Sequence, residues 1–529
     1  MEFAPAATSL RCAGGGSALE TELKITVDAD GLAALKRHPG LARRRIAPRR
    51  SEALVSVYYD TPGHALAAAG IALRLRRVGR RWVQTIKRGR GGFGLFANAE
   101  VEVPAPGGRL VLEGPDPEGL IAAIVEVAAG APLSPMFETR IRRTTERLRA
   151  PGGGEVELAL DAGEIVAGDA RAPIHEVELE LKSDDVRGIY DIARELFPSG
   201  PVRFSTASKA ARGYRLARGE GEPRPSARSA SPPDFGPEAT VEAAAREVFR
   251  DCFAQIAANM ARVADSEDAE GPHQLRVGLR RLRTAFATFA CSLGDAALRP
   301  LSDEARRLGQ VVGALRDLDV LTDEVVADAA AIGLDDPARA ALVASLEARR
   351  RSTRAEVRRA LAAPEAAGFL FDLGALIEGR GWLEPSDCGQ CARLVAPIGT
   401  VAAEMLDARL ARVTRRGRGI RKLDAEGLHA LRKELKKLRY AADTLAPLYP
   451  GKAVARYVAA LKALQDGFGS LNDAAMARTC LTDPGTPASP QAQRAVGWVL
   501  GALAARSGTD RPRLFAGWEA FAEARPFWR

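Results

Sequence analysis

The sequence predicts an α+β protein of several domains, with an N-terminal eight-stranded antiparallel β tunnel followed by an all-α, duplicated helical-bundle domain. Two observations predict this fold. Runs of alternating charged and apolar residues recur between residues 17 and 216, as expected of strands that send alternate side chains to opposite faces. From residue 237 onward the apolar residues follow a helical period instead. We therefore predict a tunnel domain at 17–216, a flexible linker at 217–236 and a helical domain at 237–520, with repeats at about 237–385 and 390–520.

Length and composition bound the class of protein. The chain has 529 residues, 46% hydrophobic and 27% charged, which allows two to four domains with large cores. The net charge of +9 indicates anionic partners such as phosphates, nucleic acid or acidic lipid. Six scattered cysteines form no disulfide framework, and the role of the isolated Cys388-Gly-Gln-Cys391 pair stays open. We expect no signal peptide and no membrane span, and hence a cytoplasmic protein.

The charged strands share one unusual property. In residues 19–27 the apolar side chains lie on one face, and Glu20, Glu22 and Lys24 lie on the other. Similar candidate strands follow at 54–60, 71–77, 81–87, 100–103, 140–142, 155–161 and 175–182, with a short amphipathic helix at 118–129 that has an acidic first turn. The wet face of an ordinary sheet usually mixes in neutral polar residues, whereas here it is mostly Arg, Lys and Glu. A closed barrel with a charged lumen and an apolar, helix-covered outside fits this pattern.

The charges of such a lumen constrain its ligands. Clustered cations would receive a polyanion. Carboxylates inside the lumen must be paired or metal-bound, because an unpaired buried charge is very costly. Mg²⁺ or Mn²⁺ would compensate paired glutamates and bridge to phosphate, since hard cations prefer oxygen ligands.

The N-terminal motifs match a known family. Glu20-x-Glu22-x-Lys24 resembles the ExExK signature of the CYTH superfamily, the triphosphate tunnel metalloenzymes. Further motifs follow in the family's order at 58–61, 73–76, 82–87, 157–161, 176–182 and 208–214. The resemblance departs at Asn98, where many members carry arginine, so that one tunnel cation is absent unless Arg88 or Arg90 replaces it.

This resemblance implies a tunnel that binds a triphosphate chain, with metal-assisted attack of water on a terminal phosphoryl group and Mg²⁺ or Mn²⁺ as the cofactor. The catalytic residues that it implies are Glu20, Glu22 and Lys24. The implied phosphate ligands are Lys24, Arg74, Arg76, Lys87, Arg140, Arg142, Lys182 and Lys209. The implied metal ligands are Glu20, Glu22, Glu176 and Glu178, with Glu102 and Asp161 as additional candidates.

The helical half contains an internal repeat. Residues 273–283 match 429–439, and residues 308–317 match 464–473 at the same separation, which indicates a duplicated unit. In each repeat four basic residues lie at i, i+3, i+7 and i+10 and form one stripe of a helix, with leucines on the buried face. Two matching stripes favour a bound polyanion, while a merely solvated basic face is the alternative.

This half is similar to the CHAD domain, an all-helical duplicated module, over about residues 237–520. The resemblance implies binding of inorganic polyphosphate along a basic surface, which the basic run at 415–422 extends. The implied contacts are His273, Arg276, Arg280, Arg283, His429, Arg432, Lys436 and Arg439.

Our leading hypothesis is an enzyme that hydrolyses inorganic triphosphate (tripolyphosphate) or a related triphosphate and also binds polyphosphate. The alternatives are an adenylate cyclase of the class IV type and a non-catalytic polyphosphate-binding or targeting protein with a degenerate tunnel. Nucleic-acid binding is disfavoured because the basic stripes lack interleaved aromatic residues. A cytoplasmic location is expected, with association with polyphosphate granules left open.

Overall fold

The computed structural model describes residues 20–90, 93–114, 116, 118–221, 226–325, 335–482 and 489–529. The chain divides into two compact units. One comprises Met1–Ile192 and Phe204–Pro223, and the other comprises Ala193–Arg203 and Arg224–Arg529.

The first unit is built around a closed antiparallel barrel. Its eight strands are hydrogen-bonded in the order β1-β5-β4-β3-β2-β6-β7-β8. The strands are β1 (Glu20–Thr26), β2 (Arg50–Asp60), β3 (Ile71–Val78), β4 (Arg81–Arg90), β5 (Leu95–Pro104), β6 (Ser134–Arg149), β7 (Glu155–Ala167) and β8 (Ala170–Leu181). The helices that accompany it are α1 (Ala29–Lys36), α2 (Pro39–Arg44), α3 (Ala65–Ala68), α4 (Leu120–Ala128), α5 (Arg187–Leu196) and α6 (Lys209–Ala217). The predicted eight-stranded tunnel is confirmed.

Helices cover the apolar outer face of the barrel. Ile71, Leu73 and Ile86 from β3 and β4 pack with Leu120 and Ile124 of α4, and all five side chains are almost completely buried. Because the outer face is removed from water by this layer, the charged alternate positions of the same strands are left to face the lumen.

The start of α4 differs from the prediction. The helix begins at Leu120, and its first turn contains no acidic residue. The Asp116 carboxylate, which precedes the helix, instead accepts hydrogen bonds from the N–H groups of Leu120 at 2.7 Å and Ala122 at 2.9 Å. A carboxylate ahead of the helix accepts hydrogen bonds from free N–H groups and interacts favourably with the positive end of the helix dipole. Asp116 therefore takes the role that was predicted for an acidic residue in the first turn.

Helix α6 packs against strands β6, β7 and β8. Ser208 caps its N-terminus, and the Ser208 hydroxyl accepts from the N–H of Ala211 at 3.1 Å. Gly213 permits the close approach, because a Cβ at this position would lie 2.0 Å from Cε2 of Phe137 on β6. This contact fixes the height of α6 and therefore the position of Lys209, its first residue.

The second unit is all helical in its described part, as predicted. After α7 (Val241–Asp265) come α8 (Glu270–Leu293), α9 (Arg299–Val320), a π-helical turn (Leu321–Val325), α10 (Asp336–Leu361), α11 (Pro364–Glu378), α12 (Cys388–Val395), α13 (Ile398–Gly417), α14 (Ala425–Leu445), α15 (Gly451–Gly467), α16 (Gly469–Leu481) and α17 (Pro490–Glu523).

The duplicated segments occupy related helices. The first copy of the basic stripe lies on α8 and the second on α14, and these two helices contact each other directly. The intervening leucines are at most 1% exposed in both copies, as the helical periodicity predicts: Leu275, Leu279, Leu282, Leu431, Leu435 and Leu438. The sequence repeat is therefore also a structural repeat.

The segment predicted as a linker is partly held in place. Residue 217 is the last residue of α6, and residues 226–237 form neither helix nor strand. Within the latter, the N–H of Arg228 donates to Asn259 Oδ1 at 3.2 Å, the N–H of Ser231 donates to the Asp251 carboxylate at 3.2 Å, and Phe235 is buried. This part of the segment is therefore anchored to α7 and is not a free linker. Residues 222–225 lie outside the described residues.

Across the described residues, no single helix is both long and apolar enough to cross a membrane, although the bent pair Pro337–Leu361 and Pro364–Glu378 passes on length and composition.

Candidate functional site

The lumen of the barrel contains a cavity of about 700 Å³. Strands of the barrel and α6 contribute its walls, so residues distant in sequence meet inside one enclosed space. Its charged lining residues are Glu20, Glu22, Lys24, Arg74, Arg76, Lys87, Glu100, Glu102, Arg143, Glu157, Glu178, Glu180, Lys182, Lys209, Arg215 and Arg218.

Glu178 on β8 lies at the centre of an ion-pair cluster. It accepts from Lys24 Nζ at 2.5 Å, from Arg143 Nη2 at 2.5 Å and from Lys209 Nζ at 2.7 Å. Burial by itself would raise the pKa of Glu178, but these three cations hold it well below its ordinary value. In the same way, burial would lower the pKa of Lys24, but the carboxylates of Glu178 and Glu22 raise it. The cluster is therefore fully ionised.

Asp161, Glu176 and Glu178 form an acidic group in which one oxygen of each lies within 4.8 Å of the others. Lys209 Nζ contacts all three, at 3.0 Å from Asp161 Oδ2. Three carboxylates around one point are an all-oxygen donor set of the kind that a hard divalent cation prefers. The residues thus fit the divalent metal that the sequence implies, and cations of the cavity compensate them here.

A second pair of carboxylates is formed by Glu20 of β1 and Glu100 of β5. Lys87 Nζ forms ion pairs with Glu20 and with Glu100, at 3.0 Å from the latter. Burial, together with a hydrogen bond to Glu100, raises the pKa of Glu20 although Lys87 opposes the shift. Two carboxylates this close need a shared positive charge, so Glu20 and Glu100 also fit a divalent ion. Glu102, the metal-ligand candidate predicted in this strand, also lines the cavity and accepts from Thr85 Oγ1 at 2.9 Å.

Three neighbouring guanidinium groups line the cavity. Arg74, Arg76 and Arg143 are close enough to repel one another electrostatically. Burial, followed by the charges of Arg74 and Arg143, lowers the pKa of Arg76 to about 10. Arg76 donates to Ser56 Oγ at 3.2 Å, and no described carboxylate lies within ion-pair distance of it. The buried Nε of Arg74 has no hydrogen-bond partner among the described atoms. Arg143 pairs with Asp161 and Glu178, and Arg74 lies 3.8 Å from Glu100. Arg76 is therefore the member of this cluster without a described ion pair.

The inward-facing residues of β6 differ by one position from the prediction. Arg142 is exposed, and Arg140 pairs with Glu138 and with Glu164, so neither lines the cavity. Arg143 lies directly opposite Asp161 of β7 and contacts both Asp161 oxygens, at 2.8 Å and 2.7 Å. The arginine that this strand contributes to the cavity lining is therefore Arg143.

The remaining predicted tunnel residues lie at or near the cavity. Lys182 forms an ion pair with Glu180 at the wall of the cavity. Asn98 of β5 lies opposite Glu20 of β1 in the register of the sheet. Arg88 does not line the cavity, and the side chain of Arg90 lies outside the described ones. The lining residues that were not among the predicted site residues include Tyr58, Glu100, Arg143, Glu157, Glu180, Arg215 and Arg218. The i, i+3 spacing of the last two along α6 was the available signal.

In the second unit, the packing of α8 against α14 joins the two basic stripes. The guanidinium carbon of Arg280 on α8 lies 5.7 Å from the ring centre of Tyr440 on α14, and that of Arg439 lies 5.2 Å from the same ring. The buried Nε atoms of Arg280, Arg283 and Arg439 have no hydrogen-bond partner among the described atoms. Arg276 is the exception, because it donates to Asp317 Oδ1 at 2.6 Å. The stripes thus form one cationic surface, which we call the α8–α14 surface.

The positive charge of the α8–α14 surface helps to lower the pKa values of its lysine and histidine residues. Burial, and then the charges of Arg280 and Arg432, lower the pKa of Lys436 to about 6. Burial and neighbouring cations also lower the pKa of His273 and of His429. Such shifts are expected where cations gather without enough carboxylates to balance them. The side chain of Asp473, the counterpart of Asp317 in the second repeat, lies outside the described ones.

Comparison with known proteins agrees with this division. The family model of the CYTH domain matches residues 18–214, and that of the CHAD domain matches residues 247–482. An inorganic triphosphatase of Haemophilus influenzae is 32% identical over 203 residues, which is 37% of this chain and about half (54%) of that relative. An uncharacterized protein of Mycobacterium tuberculosis is 26% identical over 434 residues, 75% of this chain and 77% of the relative. The crystal structure of the CHAD domain from the plant Ricinus communis is 25% identical, with a TM-score of 0.48, and covers 57% of this chain and 98% of that one.

Proposed function

This chain combines a CYTH domain with a CHAD domain, and on that premise we propose that the tunnel hydrolyses inorganic triphosphate or a related triphosphate with a divalent metal ion, while the helical domain binds inorganic polyphosphate. The observation that carries the first proposal is the cluster of Arg74, Arg76 and Arg143 inside the cavity, next to paired carboxylates. A chain of phosphates would supply the counter-charge that Arg76 lacks among the described residues.

Guanidinium groups suit this role because they bind phosphate oxygens with two parallel hydrogen bonds and remain charged. Arg76 is the clearest ligand, since it has no described carboxylate to release before it binds. Lys24 and Lys209 would contact the phosphate that lies nearest the carboxylates, and Lys87 and Lys182 would contact the rest of the chain.

Glu20 and Glu100 would hold a divalent ion, with Glu22 and Glu178 of the adjoining wall, and Asp161 and Glu176 would complete a second donor set. Such an ion, when bound, neutralises phosphate charge and lowers the pKa of a coordinated water. Both Mg²⁺ and Mn²⁺ suit ligands that are all carboxylate oxygen.

In the reaction, water attacks the terminal phosphorus, the bridging P–O bond breaks and diphosphate leaves with the bridging oxygen. A cavity carboxylate that the ion leaves free would accept the proton from the water; Glu180 lines the cavity, and burial raises its pKa. Arg74, Arg76 and Arg143 would stabilise the charge on the phosphoryl oxygens, as fixed cations do in other phosphoryl transfers.

The test is release of phosphate from tripolyphosphate, ATP and long-chain polyphosphate with Mg²⁺ or Mn²⁺. We expect metal-dependent release from tripolyphosphate, abolished by Glu20→Ala and by Arg143→Ala and retained in Arg142→Ala, whose side chain is exposed. Absence of release from every substrate, with polyphosphate binding retained, would identify a non-catalytic binding protein. Pyrophosphate formed from ATP without orthophosphate would identify a cyclase.

The second proposal rests on the α8–α14 surface, where cations from both repeats meet and several guanidinium Nε atoms have no described partner. Inorganic polyphosphate matches such a surface through its closely spaced charges alone, without base recognition. We further propose a cytoplasmic protein that this surface can bring to polyphosphate granules.

A further inference from the structure

Lys436 occupies an unusual position on the α8–α14 surface. Its side chain is only partly accessible to solvent, and it lies on α14, the helix that packs against α8. Among the described residues, no carboxylate lies within 4.0 Å of its ammonium nitrogen. Burial disfavours the charged form of a lysine, and here no counter-ion among the described residues compensates for the lost water contacts.

The neighbours of Lys436 further disfavour its charge. Arg432 and Arg439 lie one turn away on its own helix, and Arg280 of α8 contacts the ring of Tyr440, which is also one turn from Lys436. The charges of these three residues and of Arg276 on α8 oppose that of the lysine. Helices α13 and α15 also pack against α14, and neither places a described carboxylate in ion-pair contact with Lys436. His273 and His429 are the other titratable groups of the two stripes. Four guanidinium groups remain charged at any physiological pH, so the lysine is the group that can relieve the repulsion.

We propose that Lys436 is a proton-linked ligand of the α8–α14 surface, which is neutral while the surface is free and takes up a proton when a phosphate chain binds. This inference rests on the proposed binding of polyphosphate. The bound phosphates would add negative charge beside the arginines, of which Arg276 already pairs with Asp317, and would give the ammonium group an acceptor, so binding and protonation favour each other. The proton comes from solvent and bonds to Nζ of Lys436, and no other covalent bond changes.

The direction of the pH effect follows from this linkage. A group whose pKa rises on binding makes the affinity fall as pH rises between the free and the bound pKa values. For one proton the association constant falls about tenfold per pH unit within that window. The free pKa of Lys436 is about 6, so the fall begins near neutral pH. The two histidines titrate in part of the same range, and a substitution at Lys436 alone separates its contribution from theirs.

The experiment measures proton uptake directly. Binding of long-chain polyphosphate to the full-length protein is followed by calorimetry at constant ionic strength, in buffers that differ in ionisation enthalpy. Lys436→Arg introduces a positive charge that is not lost at any pH of this experiment. Lys436→Gln removes the charge. The matched control is Lys433→Arg, since Lys433 is an exposed lysine one turn away, outside the two stripes.

We expect the wild type and Lys433→Arg to take up more protons than Lys436→Arg, by up to about one proton per site. Lys436→Gln should also lose this part of the uptake and bind more weakly at acidic pH than the wild type. Equal uptake and equal pH dependence in wild type and Lys436→Arg would overturn the inference while leaving polyphosphate binding intact. Failure of the wild type to bind at any pH would overturn the proposed binding function itself, and this inference with it.

Discussion

Arg76 and Arg143 line the same cavity but differ in their partners. Arg143 contacts Asp161 and Glu178, so it compensates buried carboxylates as well as facing the lumen. Arg76 donates to Ser56, is repelled by two neighbouring arginines and gains less from Tyr58 and Glu102, so its charge disfavours the folded state. A charged side chain that costs stability is a sign of a binding role, because a structural role would have supplied it with a counter-ion.

This difference predicts opposite responses to substitution. Arg76→Met should leave the free energy of unfolding unchanged or raise it, while KM for tripolyphosphate rises about 10- to 150-fold, since a hydrogen bond to a charged group contributes about 1.5–3 kcal/mol. Arg143→Met should lower the free energy of unfolding by up to about 3 kcal/mol, because it leaves buried carboxylates undercompensated. Denaturant titration and steady-state kinetics test both statements. A loss of stability in Arg76→Met comparable to that in Arg143→Met would contradict this assignment.

The same cluster predicts acid sensitivity. The native pKa values of Asp161 and Glu178 lie below their unfolded values. Their contribution to stability is therefore present above the unfolded pKa values, near pH 4, and is lost as pH falls through the native ones. We expect the free energy of unfolding to fall as pH decreases below about 4, and to fall less steeply in Arg143→Met. Parallel pH profiles for the two proteins would show that these carboxylates do not drive the transition.

At the scale of elements, α6 connects the barrel to its chemistry. Its first residue, Lys209, contacts Asp161, Glu176 and Glu178, and Gly213 seats the helix on Phe137. The Ser208 cap orients the same turn from which Lys209 projects. A small change in the seating of α6 should therefore alter the charge balance of the cavity.

Gly213→Ala tests this role of α6. The added methyl group would lie 2.0 Å from the Phe137 ring, so the helix or the ring must move. Overpacking of this kind costs about 1–3 kcal/mol, and we expect a lower melting temperature together with at least about tenfold slower hydrolysis of tripolyphosphate. Gly221→Ala is the control, because nothing lies within 4 Å of a Cβ there. Equal activities in the two variants would show that the position of α6 does not matter for the reaction.

For the whole molecule, the tunnel and the α8–α14 surface lie in separate compact units. Each has its own excess of positive charge, one enclosed in a cavity and the other along two packed helices. We therefore expect their two functions to be separable by substitution, although both ligands are phosphate chains.

The double variant Arg280→Ala, Arg439→Ala should weaken polyphosphate binding at least about tenfold and leave tripolyphosphate hydrolysis nearly unchanged. Arg76→Met should do the reverse. Polyphosphate affinity should also fall steeply with salt, by at least about tenfold between 0.05 and 0.2 M, because binding of a polyanion releases its counter-ions. Binding and hydrolysis assays on the same preparations test this. Loss of both properties in either variant would contradict separability.

Much of the fold was predictable from the sequence, for a local reason. Alternation along a strand and the helical period along residues 237–520 reflect which side chains meet water, so they report the eight strands and the helical repeat without a structure. The ordered motifs around Glu20, Glu22 and Lys24 identified the tunnel, and the buried leucines of α8 and α14 followed from spacing alone.

Three features were decided only by the tertiary structure. They are which residues of β6 face the lumen, which charged side chains pair, and the packing of the two basic stripes against each other. Residues 140–143 read Arg-Ile-Arg-Arg, so both faces of the strand carry arginine, and Arg143 is selected by the register that places it opposite Asp161. Glu100 and Lys436 likewise acquire their properties from neighbours distant in sequence. Sequence patterns thus determined which side chains share a face, because that depends on adjacent residues. Electrostatic environment depends on distances through space, which barrel closure and helix packing set.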